Sequence, residues 1–364
     1  MRTGTWSAPG RVNIIGEHTD YSGGFALPFA IAQRTVVRAR LRDDGRITAT
    51  SAGYGTVEFP VATAPGDVTG WGAHVAGVAW ALARAGTALT GADLRIDGTV
   101  PDGAGLSSSH SLECAVALAL TGLHGLDPDR AALVRIVQRA ENEYVGAPTG
   151  VMDQMASLYG EADRAILVDA RHLTAEPVPC EFAAGGLDLL VVDTRSPHRH
   201  ADGEYGARRR TCREAAEALG VEDLRDVTDF ARLTDPVAVR RVRHVVRENA
   251  RVLDAVELLR AGRVREIGPL LTASHASLRD DYAVSAPELD TAVEAALAAG
   301  ALGARMIGGG FGGSAIALVD QGDRPAVEAA VRAAFREHGF AGPEFHIARP
   351  SRGAGRDGVS RAPS

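Results

Sequence analysis

Between residues 5 and 60, apolar positions recur at every second residue in short runs, Thr35 to Leu41, Arg46 to Thr50 and Thr56 to Phe59, separated by turn residues. A period of two is that of half-buried strands, so the amino end is predicted to form a mostly antiparallel or mixed sheet. The spacing then lengthens. Ala73 to Ala85, Ser109 to Leu123 and Arg130 to Tyr144 carry apolar residues three and four apart, which predicts helices, the last opened by the start signal "DPD". Between the first two lies "ADLRIDGTVPDGAGLSSSH", which reads as a strand, a glycine and serine turn and a helix start.

A strand-like stretch follows at Ala165 to Asp169, and then "EFAAGG" at 181–186 has the composition of a hinge. Beyond it "LDLLVVDT" reads as a buried strand, followed by helices near 205–219, 236–261 and 287–299. A glycine-rich loop at 308–313 separates the strands "GARMI" and "SAIALV". The predicted organisation is a first domain over 1–184, a second over 185–350, and a disordered tail over 351–364, "SRGAGRDGVSRAPS", which has almost nothing to bury. No internal repeat is visible.

Composition narrows the function classes. The 364 residues, 45% hydrophobic and 23% charged, suffice for a sizeable core. A formal charge of -7 argues against a basic face for nucleic acid or an anionic membrane, leaving small molecules as the expected partners. The sequence contains no lysine, so all 39 basic residues are arginine and a P-loop lysine is excluded. Any phosphate must be held by backbone N–H groups, arginine, hydroxyls or a metal. Cys114, Cys180 and Cys212 are scattered, with no CxxC pair, and the start carries no basic and apolar targeting pattern. The expected setting is the cytoplasm.

Three stretches carry chemistry. "GRVNIIGEHTDYSGG", residues 10–24, crowds Arg11, Glu17, His18 and Asp20 between glycines, an arrangement suited to a small, hydroxyl-rich ligand. "PDGAGLSSSHSLE" sets Gly103, Gly105, Leu106 and the hydroxyls of Ser107, Ser108 and Ser109 at a helix start, where unpaired N–H groups and the helix dipole favour an anion. By itself it is also what a serine-capped helix looks like. "QRAENEYVGAPTGVMDQ" brings Glu141 near a helix end and Asp153 past a glycine and proline turn. Such carboxylates fit a Mg²⁺ ligand and a base for a substrate hydroxyl. Alone, they also fit a solvated helix face and a capping residue.

Together the stretches resemble the galactokinases of the GHMP kinase superfamily. "APGRVNIIGEHTDYSGGFALP" resembles their sugar-binding signature, "PDGAGLSSSHSLE" the superfamily's phosphate loop, and "GARMIGGGFGGSAIALV" its carboxyl-terminal glycine motif. "ENEYVGAPTGVMDQMAS", "DTRSPHRHADGEYGARRR" and "SHASLRDDYAVSAPELD" are similar too, so the likeness runs from about residue 6 to 318. It implies an α+β fold of two domains, a mixed-sheet first domain with a left-handed βαβ unit and a ferredoxin-like second, with the site in the cleft between them. It further implies ATP-dependent phosphorylation of galactose at the anomeric hydroxyl by a monomer, with Asp153 as base and Arg11 against it. Glu17, His18, Asp20, Gly150 and Tyr205 would hold the sugar; the loop from Gly103 to Ser109 would hold ATP. Glu141, with Ser108 or Ser109, would hold Mg²⁺. A silent sugar- and ATP-binding regulator, or a kinase of a related sugar such as N-acetylgalactosamine, are the alternatives.

Four positions depart from the family pattern: Ser22, His110 just after the serine run, His200, and Ile307 beside the glycine motif. His110 is read as structural. The glycine motif is expected to buttress the phosphate loop, although a plain tight turn has the same composition. His198, Arg199 and His200 lack a carboxylate or cysteine at ligand spacing and read as a solvated loop.

Overall fold

A computed structural model describes residues 2–196 and 201–358. The opening strand β1 (Thr3–Asn13) runs through Pro9 and Gly10 because its pairing skips there. After the short β2 (Phe25–Ala26), the partner strand β3 (Pro28–Leu41) pairs antiparallel with β1, and the register shifts between Pro9 and Arg11. A bulge absorbs a proline that has no N–H to donate and re-aims the residue that follows. That residue is Arg11.

The hairpin β4 (Arg46–Ser51) and β5 (Gly55–Pro60) leads through α1 (Trp71–Arg84) to β6 (Ala92–Gly98), which lies parallel to β4 and antiparallel to β3. The sheet is therefore mixed, as its alternating runs predict. Helices α2 (Ser108–Leu123) and α3 (Arg130–Arg139) cover it with α1, burying Val37, Ile47 and Leu94 of the strands against Val75, Leu82, Leu120 and Val134. Each such side chain contributes about 1.5–3 kcal/mol on full burial, and this packing fixes where α2 begins.

Arg130 to Tyr144 does not form one α-helix. The regular turns stop at Arg139, and Ala140–Val145 form a wider π-turn in which the amides of Gly146 and Ala147 both donate to the Glu141 carbonyl. The extra residue per turn rotates the side chains that follow, and such turns gather at functional positions. The eight-residue α4 (Met152–Tyr159) comes next, then β7 (Arg164–Asp169) and β8 (Thr174–Pro179), which with β2 make a small sheet. Two prolines in β8 are tolerated because it is an edge.

The segment 181–186 is a hydrogen-bonded turn between β8 and β9 (Leu187–Asp193), two strands of different sheets. Beyond it come α5 (Ala201–Leu219), α6 (Pro236–Arg260), α7 (Gly268–Ser277) and α8 (Pro287–Ala298). The hairpin β10 (Gly303–Ile307) and β11 (Ser314–Asp320), helix α9 (Arg324–Glu337) and β12 (Glu344–Ala348) follow. The antiparallel order β10-β11-β9-β12, with helices after β9 and β11, is the ferredoxin-like topology that the resemblance implies. Strand β9 is apolar from Leu189 to Val192 because both faces are covered there. Leu189 and Val191 pack with Val12, Ile14, Phe29 and Leu106 of the first half, whereas Leu190 and Val192 pack with Val242, Leu278 and Phe335. One apolar cluster thus spans both halves.

The stretch after residue 350 is not a free tail over 351–358. Ser351, Gly353 and Ala354 donate backbone bonds to Ala30, Gly160 and Ser157, Ala354 is buried, and β13 (Gly355–Arg356) pairs with β1 at the edge of the first sheet. Its glycines and arginines suggest a chain with nothing to bury, but backbone hydrogen bonds need no side chain. Residues 359–364, and with them the rest of the expected tail, lie outside the described residues, as do His198, Arg199 and His200. Among the described residues no helix is long and apolar enough to cross a membrane.

Deleting residues 351–364 should therefore destabilise the protein. Three backbone bonds at about 1 kcal/mol each predict a loss of about 2–4 kcal/mol by chemical denaturation, where an unattached tail would leave the midpoint unchanged.

Candidate functional site

The loop between β6 and α2 takes its shape from residues with positive φ: Gly103 (71°), Gly105 (68°) and Ser107 (65°). It is clamped from both sides. The Arg11 amide donates to the Leu106 carbonyl at 3.0 Å, Arg11 Nη1 to the Gly105 carbonyl at 2.5 Å, and Ser314 Oγ to the Ala104 carbonyl at 2.6 Å. No side chain caps the start of α2, so its first amides stay free for an anion. The glycine loop 308–313 presses on this one: a Cβ at Gly308 would stand 3.6 Å from the Gly105 carbonyl oxygen. It is a buttress, as its place in the pattern predicts.

Asp153 sits in the first turn of α4 and is gripped by Arg11, Nε to Oδ1 and Nη2 to Oδ2, both at 2.8 Å. His110 Nδ1 lies 3.3 Å from Oδ2. Burial pushes the Asp153 pKa up, but the Arg11 charge, aided by His110 and the Ser107 hydroxyl, outweighs it and holds the carboxyl below its ordinary value. Asp153 is an ionised, weak base.

Around it opens a cavity of about 280 Å³ lined by Arg11, Glu17, His18, Asp20, Gly150, Tyr205 and the Gly308–Gly310 turn, among others. Asp20 Oδ2 accepts the amides of Val151 (2.8 Å) and Met152 (3.0 Å), which fixes it over the start of α4. A Cβ at Gly150 would stand 1.8 Å from that oxygen, so only glycine fits. Glu17 Oε1 accepts the Gly308 amide at 2.8 Å and faces the fully buried Arg305 at 3.3 Å. Burial raises the Glu17 pKa against the pull of Arg305 and Arg11. His18 lies between the tilted rings of Tyr205 (5.3 Å) and Tyr282 (4.8 Å), with Nδ1 2.9 Å from the Tyr21 hydroxyl. Burial, then the neighbouring His244, lowers its pKa to about 3, so the ring is neutral.

Behind Ser109 a second cavity of about 570 Å³ is bordered by Tyr54, Trp71, His74, Asp102, Leu112 and Ser108. Ser109 lines both cavities, whereas Ser108 lines only the second. Glu141 reaches the first cavity from the π-turn and lies 3.7 Å from His74 and 4.0 Å from His110. The buried Glu113 keeps its proton, its pKa raised by burial and by the adjoining Glu141, while the Glu141 carboxyl is lowered by His110 and by its hydrogen bond from Glu113 despite its own burial.

The candidate catalytic, sugar, phosphate and metal residues, Arg11, Glu17, His18, Asp20, Gly103, Gly105, Leu106, Ser107, Ser108, Ser109, Glu141, Gly150, Asp153 and Tyr205, thus border one of these cavities or form the loop beside them. Sequence reasoning passed over Arg305, Tyr282, His244, His74 and Glu113. The signal was a lone charged or imidazole group inside an apolar run, as in "GARMI" or "SLECAVALAL".

Comparison with known proteins gives three matching family models: the galactokinase galactose-binding signature over residues 2–41, the GHMP kinases N terminal domain over 73–161 and the GHMP kinases C terminal over 255–337. The chain is 52% identical to the galactokinase of Streptomyces coelicolor, covering 97% of this chain and 94% of that one. It is 48% identical to the galactokinase of Mycobacterium tuberculosis, over 87% and 89% of the two chains. A crystal structure of Lactococcus lactis galactokinase complexed with galactose superposes with a TM-score of 0.92 at 36% identity, covering 98% of this chain and 95% of that one.

The buried imidazoles make stability pH-dependent. His244, its pKa lowered to about 4 by burial, donates to the Glu17 carbonyl and is uncharged in the fold, while the unfolded chain protonates near 6.5. Its contribution is complete above about pH 6.5 and is lost as pH falls toward 4. Denaturation at pH 7 and pH 5 should show a His244→Gln variant losing about 2 kcal/mol less than the parent chain over that interval, with equal losses counting against the assignment.

Proposed function

The chain belongs to the galactokinases of the GHMP kinase superfamily and phosphorylates galactose at the expense of ATP; on that premise we propose that Asp153, held by Arg11, accepts the proton of the anomeric hydroxyl. The observation that carries this reading is the two-pronged Arg11–Asp153 contact between the first cavity and the start of α2. Galactose occupies the first cavity. Asp20, Glu17 and His18 offer acceptors and a neutral imidazole to its hydroxyls, Tyr205 supplies an amphipathic face, and Gly150 leaves room for the Asp20 carboxylate.

ATP lies along the second cavity, its base beside Tyr54 and Trp71 and its phosphates on the amides of residues 103–109. Glu141 and Ser109 fit Mg²⁺. They present hard oxygens, Ser109 between the two cavities and Glu141 on the wall of the first. Such an ion supplies neutralisation of phosphate charge when bound.

A base held below its ordinary pKa by a guanidinium does not strip a sugar hydroxyl in advance. Asp153 orients the hydroxyl through a hydrogen bond and takes the proton as bonding to phosphorus makes that oxygen acidic. Arg11 meanwhile faces the charge that builds on the transferring group. The product is α-D-galactose 1-phosphate, and the work of the protein is alignment and charge matching, as phosphoryl transfer requires. We take the monomer as the catalytic unit. Three buried free cysteines fit a reducing compartment, the cytoplasm.

Asp153→Asn should lower kcat about 10²–10⁴-fold in a coupled ADP assay while galactose binding by calorimetry changes little; near-normal turnover would remove the base from this role. Gly150→Ala should act on the other parameter. Its methyl displaces Asp20, so KM for galactose should rise at least about tenfold with folding intact, and an unchanged KM would take Asp20 out of the sugar site.

A further inference from the structure

A line of polar groups runs from the first cavity into the core of the second half. His18 Nδ1 lies 2.9 Å from the Tyr21 hydroxyl, that hydroxyl lies 2.6 Å from the Tyr282 hydroxyl, and Tyr282 Oη lies 3.1 Å from Cys212 Sγ. Tyr21 belongs to the helical turn Asp20–Ser22, Tyr282 closes the π-turn Leu278–Tyr282 after α7, and Cys212 lies on α5. Tyr282 is 0% and Cys212 2% exposed. His244 packs on the Tyr282 ring at 4.5 Å but stays outside the line, because its two nitrogens face the Ser277 hydroxyl and the Glu17 carbonyl.

Each member has one proton to place. Burial raises both phenols well above their ordinary pKa and the Cys212 thiol up to about 11, so all three keep their protons, while the His18 ring is neutral. A neutral imidazole has one N–H and one bare nitrogen, and the bond made by one nitrogen decides which is which. Phenol is the stronger acid of this pair and imidazole the stronger base, so the proton between them stays on oxygen and the Tyr21 hydroxyl donates to His18 Nδ1. Tyr21 then accepts from Tyr282, and Tyr282 accepts from the Cys212 thiol. The order of donors is set from one end to the other.

We propose that Tyr21, Tyr282 and Cys212 fix the single His18 proton on Nε2 and so make this histidine a hydrogen-bond donor to a hydroxyl oxygen of galactose. That contact rests on the reading that galactose occupies the first cavity. Nε2 bonds no other side chain, although His18 is 5% exposed and lines that cavity. The Gly309 backbone beside the ring also favours a proton on it. Asp20 and Asp153 on the same wall accept protons from sugar hydroxyls, and a hydroxyl that donates to a carboxylate still has lone pairs that call for a donor. Tyr21 and Tyr282 do not line the cavity. They are positioning residues that act through the imidazole ring.

Protein labelled with ¹⁵N-histidine reports the tautomer directly, because protonated and bare ring nitrogens resonate far apart. With the His18 signals assigned through bonds in the sugar-free parent chain, Nε2 should be protonated and Nδ1 bare. The reverse would overturn the order of donors, and this spectrum needs no substitution, so a variant that misfolds does not close the test. Tyr21→Phe keeps the ring and removes the hydroxyl. It should admit the Nδ1-protonated form and raise KM for galactose about three- to tenfold, with kcat changed less than about twofold and circular dichroism unchanged. A single unchanged tautomer with an unchanged KM in that variant would overturn the role of the tyrosines. Tyr282→Phe, one link further off, should move KM in the same direction. Galactose added to the parent chain should shift the Nε2 resonance. A protonated Nε2 that galactose leaves unmoved would overturn the sugar contact and the place given to galactose, with the order of donors intact; a bare Nε2 that galactose shifts would overturn the order of donors alone.

Discussion

The arrangement depends on pairing one guanidinium with one carboxylate out of water. Arg11 and Asp153 are 142 residues apart, and neither can be buried alone without a penalty of several kcal/mol. Their contact fixes the order of everything nearby. Arg11 also bonds the Gly105 carbonyl, so the same side chain sets the distance between the anion-binding loop and the base. A lysine, with a single point of attachment, could not hold both carboxylate oxygens and the loop carbonyl together.

A second buried cation does the same for the far wall. Arg305 donates to the carbonyls of Asn13 and Ile14 and faces Glu17, tying the second sheet to the turn that carries Glu17, His18 and Asp20. The apolar cluster of β9, β1 and β3 lies behind this contact and excludes water from it. The cleft is a seam along which two cores share side chains, and its polar groups are held by elements that cannot shift independently.

Much of this was legible in one dimension. Period-two runs mark β4 and β5, period-four spacing marks α1, α2 and α6, and the apolar run Leu189–Val192 of β9 marks a strand covered on both faces. The candidate residues stood out as polar groups crowded among glycines. What escaped depends on distant partners. His110 reads as one more histidine until Asp153 and Glu141 arrive from other helices. Glu113 looks like an odd acid in an apolar helix until Glu141 and His74 meet it. The π-turn that brings Glu141 round has no sequence mark, because its widening answers to packing and not to propensity.

The pairing of β13 with β1 has a consequence for biosynthesis. The outer edge of the first sheet is covered at Trp6 and Ser7 by residues 355–356, the last strand in chain order among the described residues. Until that segment emerges, the nascent first half carries a strand with open amides and carbonyls there, the kind of template on which neighbouring copies join. A polypeptide cut short before that point keeps this stretch of the template open.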